Sequence, residues 1–228
     1  MDELYSILQA ATHEERENFA ALTGSAFGSA PETLCNHLKF LRAGSIRQIF
    51  WNASWKQIVT DVADHTSIDW LDILNGRDWN DLPAAEIEAA IVIRVFQDIL
   101  DTFTSQQRQE LLMSMEHNID DPDLTAILVS GGVMTAARLS GFGVYLLAST
   151  TLGSLTGALG ITLPFAAYIG MSQSIALILG PVGWTALGGA LLWSINQPNW
   201  NRLTLAVVFV ASLRYDANRS QELSNVRN

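Results

Sequence analysis

The sequence has almost no cysteine and, over one long stretch, no charge. Cys35 is the only cysteine among the 228 residues, so the chain can form neither an internal disulfide nor a cysteine-based metal cluster, as is typical of a reducing cytosol. The 63 residues from Leu139 to Asn201, here called the charge-free block, contain no Asp, Glu, Lys, Arg or His. Because surface and catalytic segments both use charge, this block is predicted to be either a sheathed core or a segment that meets lipid.

Acidic residues are concentrated before the charge-free block. Residues 1–123 hold 21 of the 23 Asp and Glu against eight of the 13 Lys and Arg, a net charge of −13. Nucleic acid is not expected as a partner, because its phosphates would be repelled. The opening residues, Met-Asp-Glu-Leu-Tyr, lack the basic start and apolar run of a signal peptide. We therefore expect a cytoplasmic protein, with any contact to the inner membrane made by an internal segment.

The acidic half is predicted to consist of helices joined by short turns. Thr12-His-Glu-Glu15 has the spacing of a capping box. A helix over 31–43, stopped by Gly44, and a second helix over 46–64 are predicted to form an αα-hairpin. Further along, Asn75-Gly76 indicates a turn before the next helix.

The periodicity after Pro83 predicts the strongest helix of this half. Leu203–Leu213 is predicted to be the last apolar helix. We divide the chain into an acidic helical region at 1–123, an apolar glycine-rich helical region at 124–215 and a polar tail at 216–228. The predicted fold class is all-α, a multi-helix bundle whose acidic amphipathic half packs on a glycine-rich apolar helical hairpin.

Two segments of the charge-free block approach the length of a membrane span. A spanning helix needs about 20 apolar residues, which Phe142–Gly160 and Leu163–Leu179 nearly reach and Val182–Ile195 does not. The best membrane interpretation is one hairpin with its tip near Gly160–Pro164. The tryptophans Trp184, Trp193 and Trp200 would then lie near the headgroups. The arginines Arg138, Arg202 and Arg214 would stay on the cytoplasmic side.

Small residues, prolines and tryptophans of the block are the candidates for membrane contact or helix packing. A four-residue spacing of small side chains lets two helices approach closely in lipid, and tryptophan favours the membrane interface. The assigned residues are Ser149, Gly153, Gly157, Gly160, Pro164, Gly180, Pro181, Trp184 and Trp193.

A permanently buried core explains the same segments. Several Ser, Thr and Gln residues make them only moderately hydrophobic, and a helix that is apolar all round can be the central helix of a bundle. Both interpretations stay open. They are also compatible, since a hairpin can be stored inside a soluble bundle and released later, as in colicin-like pore formers.

One row of acidic residues has a spacing that would suit a cation site or a catalytic acid–base pair. Asp61, Asp64, His65, Asp69 and Asp72 would follow one side of a continuous helix, as a cation site or an acid–base pair requires. A solvated acidic face is the simpler explanation, because no second cluster supplies the missing ligands. We therefore predict no enzyme activity, no cofactor and no metal.

The remaining candidates are a thiol and two tryptophans. Cys35 and His37 are two residues apart and do not share a helix face, so they do not form a catalytic pair. Trp51 and Trp55 are four apart and could form a ridge that docks a partner, although such pairs are also common in cores.

Short stretches spread over nearly the whole chain carry a family resemblance. They are 44–50, 55–62, 141–145, the glycines at 153, 157 and 160, 163–165, 180–184, 198–200 and 212–214. They resemble the YaaW-like family of uncharacterised bacterial proteins, in which a domain of unknown function precedes a region classed with ubiquinol–cytochrome c chaperone proteins. The resemblance implies an all-helical fold and carries over no catalytic residue.

These observations favour a non-enzymatic helical protein whose apolar hairpin associates with or inserts into the membrane, in stress or defence. The alternative is a soluble assembly chaperone or adaptor in which the apolar region is a permanent core. The partner is accordingly membrane lipid or a protein, and self-association is left open.

Overall fold

Local capping signals start and end the first helices of the chain. A computed structural model describes residues 1–47, 53–102, 104–105, 148 and 198–226. Helix α1 is Asp2–Ala10 and helix α2 is His13–Thr23. The predicted capping box is confirmed, because Thr12 Oγ1 accepts from the Glu15 amide at 3.2 Å and the Thr12 amide donates to the Glu15 carboxylate. Gly24, with φ of 72°, ends α2 in the left-handed conformation that favours glycine.

Helices α3 and α4 differ from the predicted αα-hairpin in their bounds. Helix α3 is Pro31–Arg47 and helix α4 is Trp55–His65. The predicted stop at Gly44 is wrong, since a single interior glycine costs a helix only about 1 kcal/mol, which packing can offset. The predicted start at 46 is also wrong, because a second capping box, between Ser54 and Gln57, begins α4.

A short connection leads from α4 to the longest helix of this part. Helix α5 is Trp70–Leu74, a 3₁₀ turn covers Trp79–Asp81, and helix α6 is Ala84–Thr102. The predicted turn is confirmed, because Asn75 and Gly76 both have positive φ, at 46° and 79°.

Helix α7 is Pro198–Val226. Its apolar part contains the predicted last helix, Leu203–Leu213, in which every side chain is at most 5% exposed. The helix continues past Leu213 to Val226, into the segment assigned to the polar tail. This segment has no proline or glycine to stop it.

Four amphipathic helices surround the apolar part of α7. Contacts join α7 to α1, α2, α3 and α4, and the rings of Phe19 and Phe209 lie 5.6 Å apart at 56°. A helix that is apolar all round is stable in a soluble unit only when its whole circumference is covered. This arrangement makes α7 the central helix of its unit.

The described part of the chain is 78% helical and contains no strand, which confirms the all-α class. The chain divides into two compact units, one comprising Met1–Arg94 with Gln197–Asn228 and the other Val95–Asn196. The predicted boundary at 123 and the proposed packing of an acidic half on a hairpin lie outside the described residues. Within the described residues, no helix has both the length and the apolar composition needed to cross a bilayer.

Removing the ring of Phe209 tests the central role of α7. Phe209 is fully buried against Phe19, so we expect Phe209→Ala to lower the free energy of unfolding by about 3–5 kcal/mol. The measurement is urea unfolding followed by circular dichroism. Leu71→Ala is the control, because Leu71 is 84% exposed and its loss should change stability little. Equal losses of unfolding free energy for the two substitutions would contradict the assignment of α7 as the central helix.

Candidate functional site

Most of the residues assigned from the sequence to membrane contact lie outside the described residues, and their role stays a prediction. This holds for Ser149, Gly153, Gly157, Gly160, Pro164, Gly180, Pro181, Trp184 and Trp193. Trp51, which was assigned to partner docking, also lies outside the described residues. The described residues nonetheless contain the helices on either side of that region, α6 before it and α7 after it. The candidate site is therefore built from the groups on these two helices.

Trp55 lies in the core rather than on the surface. Its side chain is 1% exposed, and its indole Nε1 donates a hydrogen bond of 2.6 Å to Glu88 Oε1. A docking role for Trp55 would require this side chain to leave the core. The docking hypothesis consequently has no support at Trp55.

Glu88 of α6 is a fully buried carboxylate that Arg214 of α7 neutralises. The pair is bidentate, with Arg214 Nε 2.7 Å from Glu88 Oε2 and Nη2 2.8 Å from Oε1. The same Nη2 donates to Glu3 Oε1 of α1 at 2.6 Å. We call Glu3, Trp55, Glu88 and Arg214 the Glu88 cluster. It joins α1, α4, α6 and α7 around one carboxylate.

Opposing effects act on the pKa of Arg214. Burial alone would lower this pKa, because it penalises the charged guanidinium. The hydrogen bonds and negative charges of Glu88 and Glu3 outweigh that penalty and raise the pKa above its usual value. Arg214 therefore stays charged.

Part of the Glu88 cluster was visible in the sequence. Glu88 follows Ile87 and precedes Ile91 by three residues, so it lies within the apolar stripe of α6. An acidic residue on a buried face needs a cationic partner. The partner is Arg214, 126 residues away. The sequence did not identify it as the partner, beyond showing that it lies at the end of an apolar run.

The acidic residues that the sequence placed in one row between Asp61 and Asp72 contact different partners. Asp61 pairs with Arg42 of α3, Asp64 Oδ1 accepts from the indole of Trp70 at 2.6 Å, and Asp69 Oδ1 accepts from the amide of Leu71 at 2.9 Å. Helix α4 ends at His65, so the row does not follow one continuous helix. In the described ranges, no group of His, Cys, Asp and Glu is placed to hold a metal ion.

Cys35 and His37 have separate surroundings. His37 Nε2 lies 2.9 Å from the carbonyl oxygen of Thr23, at the end of α2. Burial of the Cys35 thiol raises its pKa to about 11, and the nearby Lys39 lowers it only in part. A nucleophilic cysteine needs a lowered pKa. The shift at Cys35 is in the opposite direction.

The first turns of α7 contact the ends of two other helices. Trp200 stacks on His65, the last residue of α4, with ring centroids 4.8 Å apart and planes at 12°. The guanidinium of Arg202 lies against Gly24, 2.6 Å from where a β-carbon of residue 24 would stand. These contacts position the point where the charge-free block, which ends at Asn201, joins the helical unit.

These sites belong to a helical unit held by a buried ion pair. No family model, no curated protein and no solved structure matches the chain.

Breaking the Glu88 cluster should be costly because of the charge it leaves behind. Arg214→Met leaves Glu88 buried without its cation, and such a change costs about 3–5 kcal/mol of unfolding free energy. The double variant Arg214→Met/Glu88→Gln should recover part of the loss. Arg202→Met on the exposed side of the same helix is the matched control. If Arg214→Met is as stable in urea unfolding as Arg202→Met, the stabilising role of Arg214 in the Glu88 cluster is contradicted.

The Cys35 thiol should react slowly while the protein is folded. A pKa of about 11 instead of the usual 9.0 lowers the thiolate fraction at mildly alkaline pH by about a hundredfold. Burial at 5% exposure also blocks access. The measurement is the rate of labelling by an aromatic disulfide reagent with and without urea. Rapid stoichiometric labelling of the native chain would contradict the assignment.

Proposed function

We propose that this is a non-enzymatic helical protein that presents an apolar hairpin within Phe142–Leu179 to a membrane. In this proposal the helical unit of Met1–Arg94 and Gln197–Asn228 is the support, and the membrane is the bacterial inner membrane reached from the cytoplasm. A role in stress or defence would fit a hairpin that is stored and then released.

The discontinuity of the helical unit is the observation that carries the proposal. Residues 95–196 are inserted between two parts of one compact unit, and most of the charge-free block lies within this insertion. The flanking helices α6 and α7 are tied together by the bidentate pair of Glu88 and Arg214. The insertion thus begins and ends at helices held by a buried ion pair.

The identity of the central helix adds support. Helices α1 to α4 pack on α7. The apolar part of α7, Leu203–Leu213, begins after the end of the charge-free block. These amphipathic helices therefore use apolar surface on α7, which lies almost wholly after the charge-free block.

A soluble assembly chaperone or adaptor has less support. The described docking group that the sequence suggested for that function, Trp55, is buried and bonded to Glu88. The resemblance to the YaaW-like family suggests a chaperone only through the name under which part of that family is classified. We therefore place this function second.

Vesicle flotation of the full-length protein tests the proposal. We expect the protein to float with vesicles of phosphatidylethanolamine and phosphatidylglycerol at neutral or at mildly acidic pH. Leu155→Arg, which puts a charge in the predicted hairpin, should abolish flotation, because an arginine at a bilayer centre costs about 2.5–3.5 kcal/mol by insertion scales.

Gln9→Arg is the matched control, since it adds the same charge at an exposed position of α1. Circular dichroism verifies that both variants are folded. A wild-type protein that stays wholly in the soluble fraction at both pH values would refute the proposal. Equal flotation of Leu155→Arg and the wild type would refute the hairpin as the inserting segment.

A further inference from the structure

The loop between α2 and α3 is unusually free of charge for this acidic half. Residues 18–31 contain no Asp, Glu, Lys, Arg or His, the longest such run within 1–123. Phe27, near the middle of the loop, is 85% exposed. Ser25 Oγ donates to the carbonyl of Gly28 at 3.3 Å, which folds the loop back on itself. Phe27 is thereby presented to solvent on a tight turn.

This loop lies at the end of the unit where the charge-free block joins it. Helices α2 and α7 are antiparallel, because Phe19 contacts Phe209 and Gly24 contacts Arg202. Phe27 is three residues past Gly24, so their Cα atoms are at most about 11 Å apart. Arg202 is exposed and directly follows the last residue of the charge-free block. The exposed phenyl ring and the junction with the block therefore lie close together.

A second exposed apolar side chain lies at the same end. Leu71 is 84% exposed and belongs to α5, which the hydrogen bond from Trp70 to Asp64 ties to the last turn of α4. That turn stacks through His65 on Trp200. Among the described residues, the two most exposed large apolar side chains, Phe27 and Leu71, thus both lie near the start of α7.

The geometry points to this end of the unit as a docking surface for a phospholipid bilayer. Phe27 would enter the acyl boundary, Trp200 would lie at headgroup depth and Arg202 would pair with a lipid phosphate. The inference rests on the proposed function, because the charge-free block leaves the unit at this surface.

Charge decides which part of the surface carries the contact. The carboxylates of Asp64 and Asp69 are exposed beside α5, so the uncharged loop with Phe27 is the centre and Leu71 is the edge. The whole chain has a net charge of −10, so its overall charge does not attract it to an anionic surface. The attraction comes from apolar burial and from the local cation Arg202.

The test measures partition of the full-length protein onto phosphatidylcholine vesicles by flotation. Phe27→Ala should lower the partition coefficient about tenfold, the equivalent of burying one phenyl ring. Phe27→Leu should retain most of the binding, and Arg202→Gln should lower it less than Phe27→Ala does, because phosphatidylcholine has no negative surface potential to attract the guanidinium. Tyr5→Ala is the control, because Tyr5 is 41% exposed on α1, the helix that contacts Arg214 at the other end of the apolar stretch.

The outcomes separate this surface from the proposed function. If the wild type floats and Phe27→Ala floats equally well, the docking surface is refuted and the hairpin proposal stands. An equal loss in Tyr5→Ala and Phe27→Ala also refutes the surface, since the effect is then not local. If the wild type does not float on any vesicle, both proposals fail. Melting temperatures close to that of the wild type show that each variant is folded.

Discussion

A fully buried carboxylate imposes the strongest constraint on the helical unit. Glu88 has no exposed surface, and an unpaired charge in such a place would cost several kcal/mol. Arg214 supplies the opposite charge through two hydrogen bonds, and Trp55 supplies a third donor. The arrangement of α4, α6 and α7 avoids that cost only while these donors point at the Glu88 carboxylate. The positions of the three helices therefore depend on each other.

The ion pair gives α7 an orientation that its apolar part cannot give. Leu203–Leu213 is buried on all sides, so hydrophobic burial alone favours no particular rotation or depth of the helix among its neighbours. Arg214, one residue beyond that stretch, contacts Glu88 on α6 and Glu3 on α1. A guanidinium with fixed donor directions selects one rotation and one depth. We infer that the Glu88 cluster contributes specificity of packing more than net stability.

Local signals in the sequence were sufficient for some helix boundaries and not for others. The capping box at Thr12 and the turn at Asn75-Gly76 depend on neighbouring residues alone, and both predictions are confirmed. Gly44 failed as a helix stop, because packing outweighs the small cost of glycine inside a helix. The Glu88 cluster could be predicted only in part, since a buried acid indicates that a cation exists without naming Arg214, which is 126 residues away.

The two arginines that bracket the apolar stretch of α7 have opposite surroundings. Arg214 is partly buried and is held by the buried Glu88 and the exposed Glu3, whereas Arg202 is exposed beside the uncharged loop that carries Phe27. The apolar stretch is therefore fixed by charge at its Arg214 end, and its Arg202 end opens on a surface with exposed apolar side chains. The two arginines are twelve positions apart along the helix, a rise of about 18 Å. The charge-free block joins α7 at the Arg202 end, so the paired carboxylates of the Glu88 cluster lie about 18 Å along the helix from the point where the block ends.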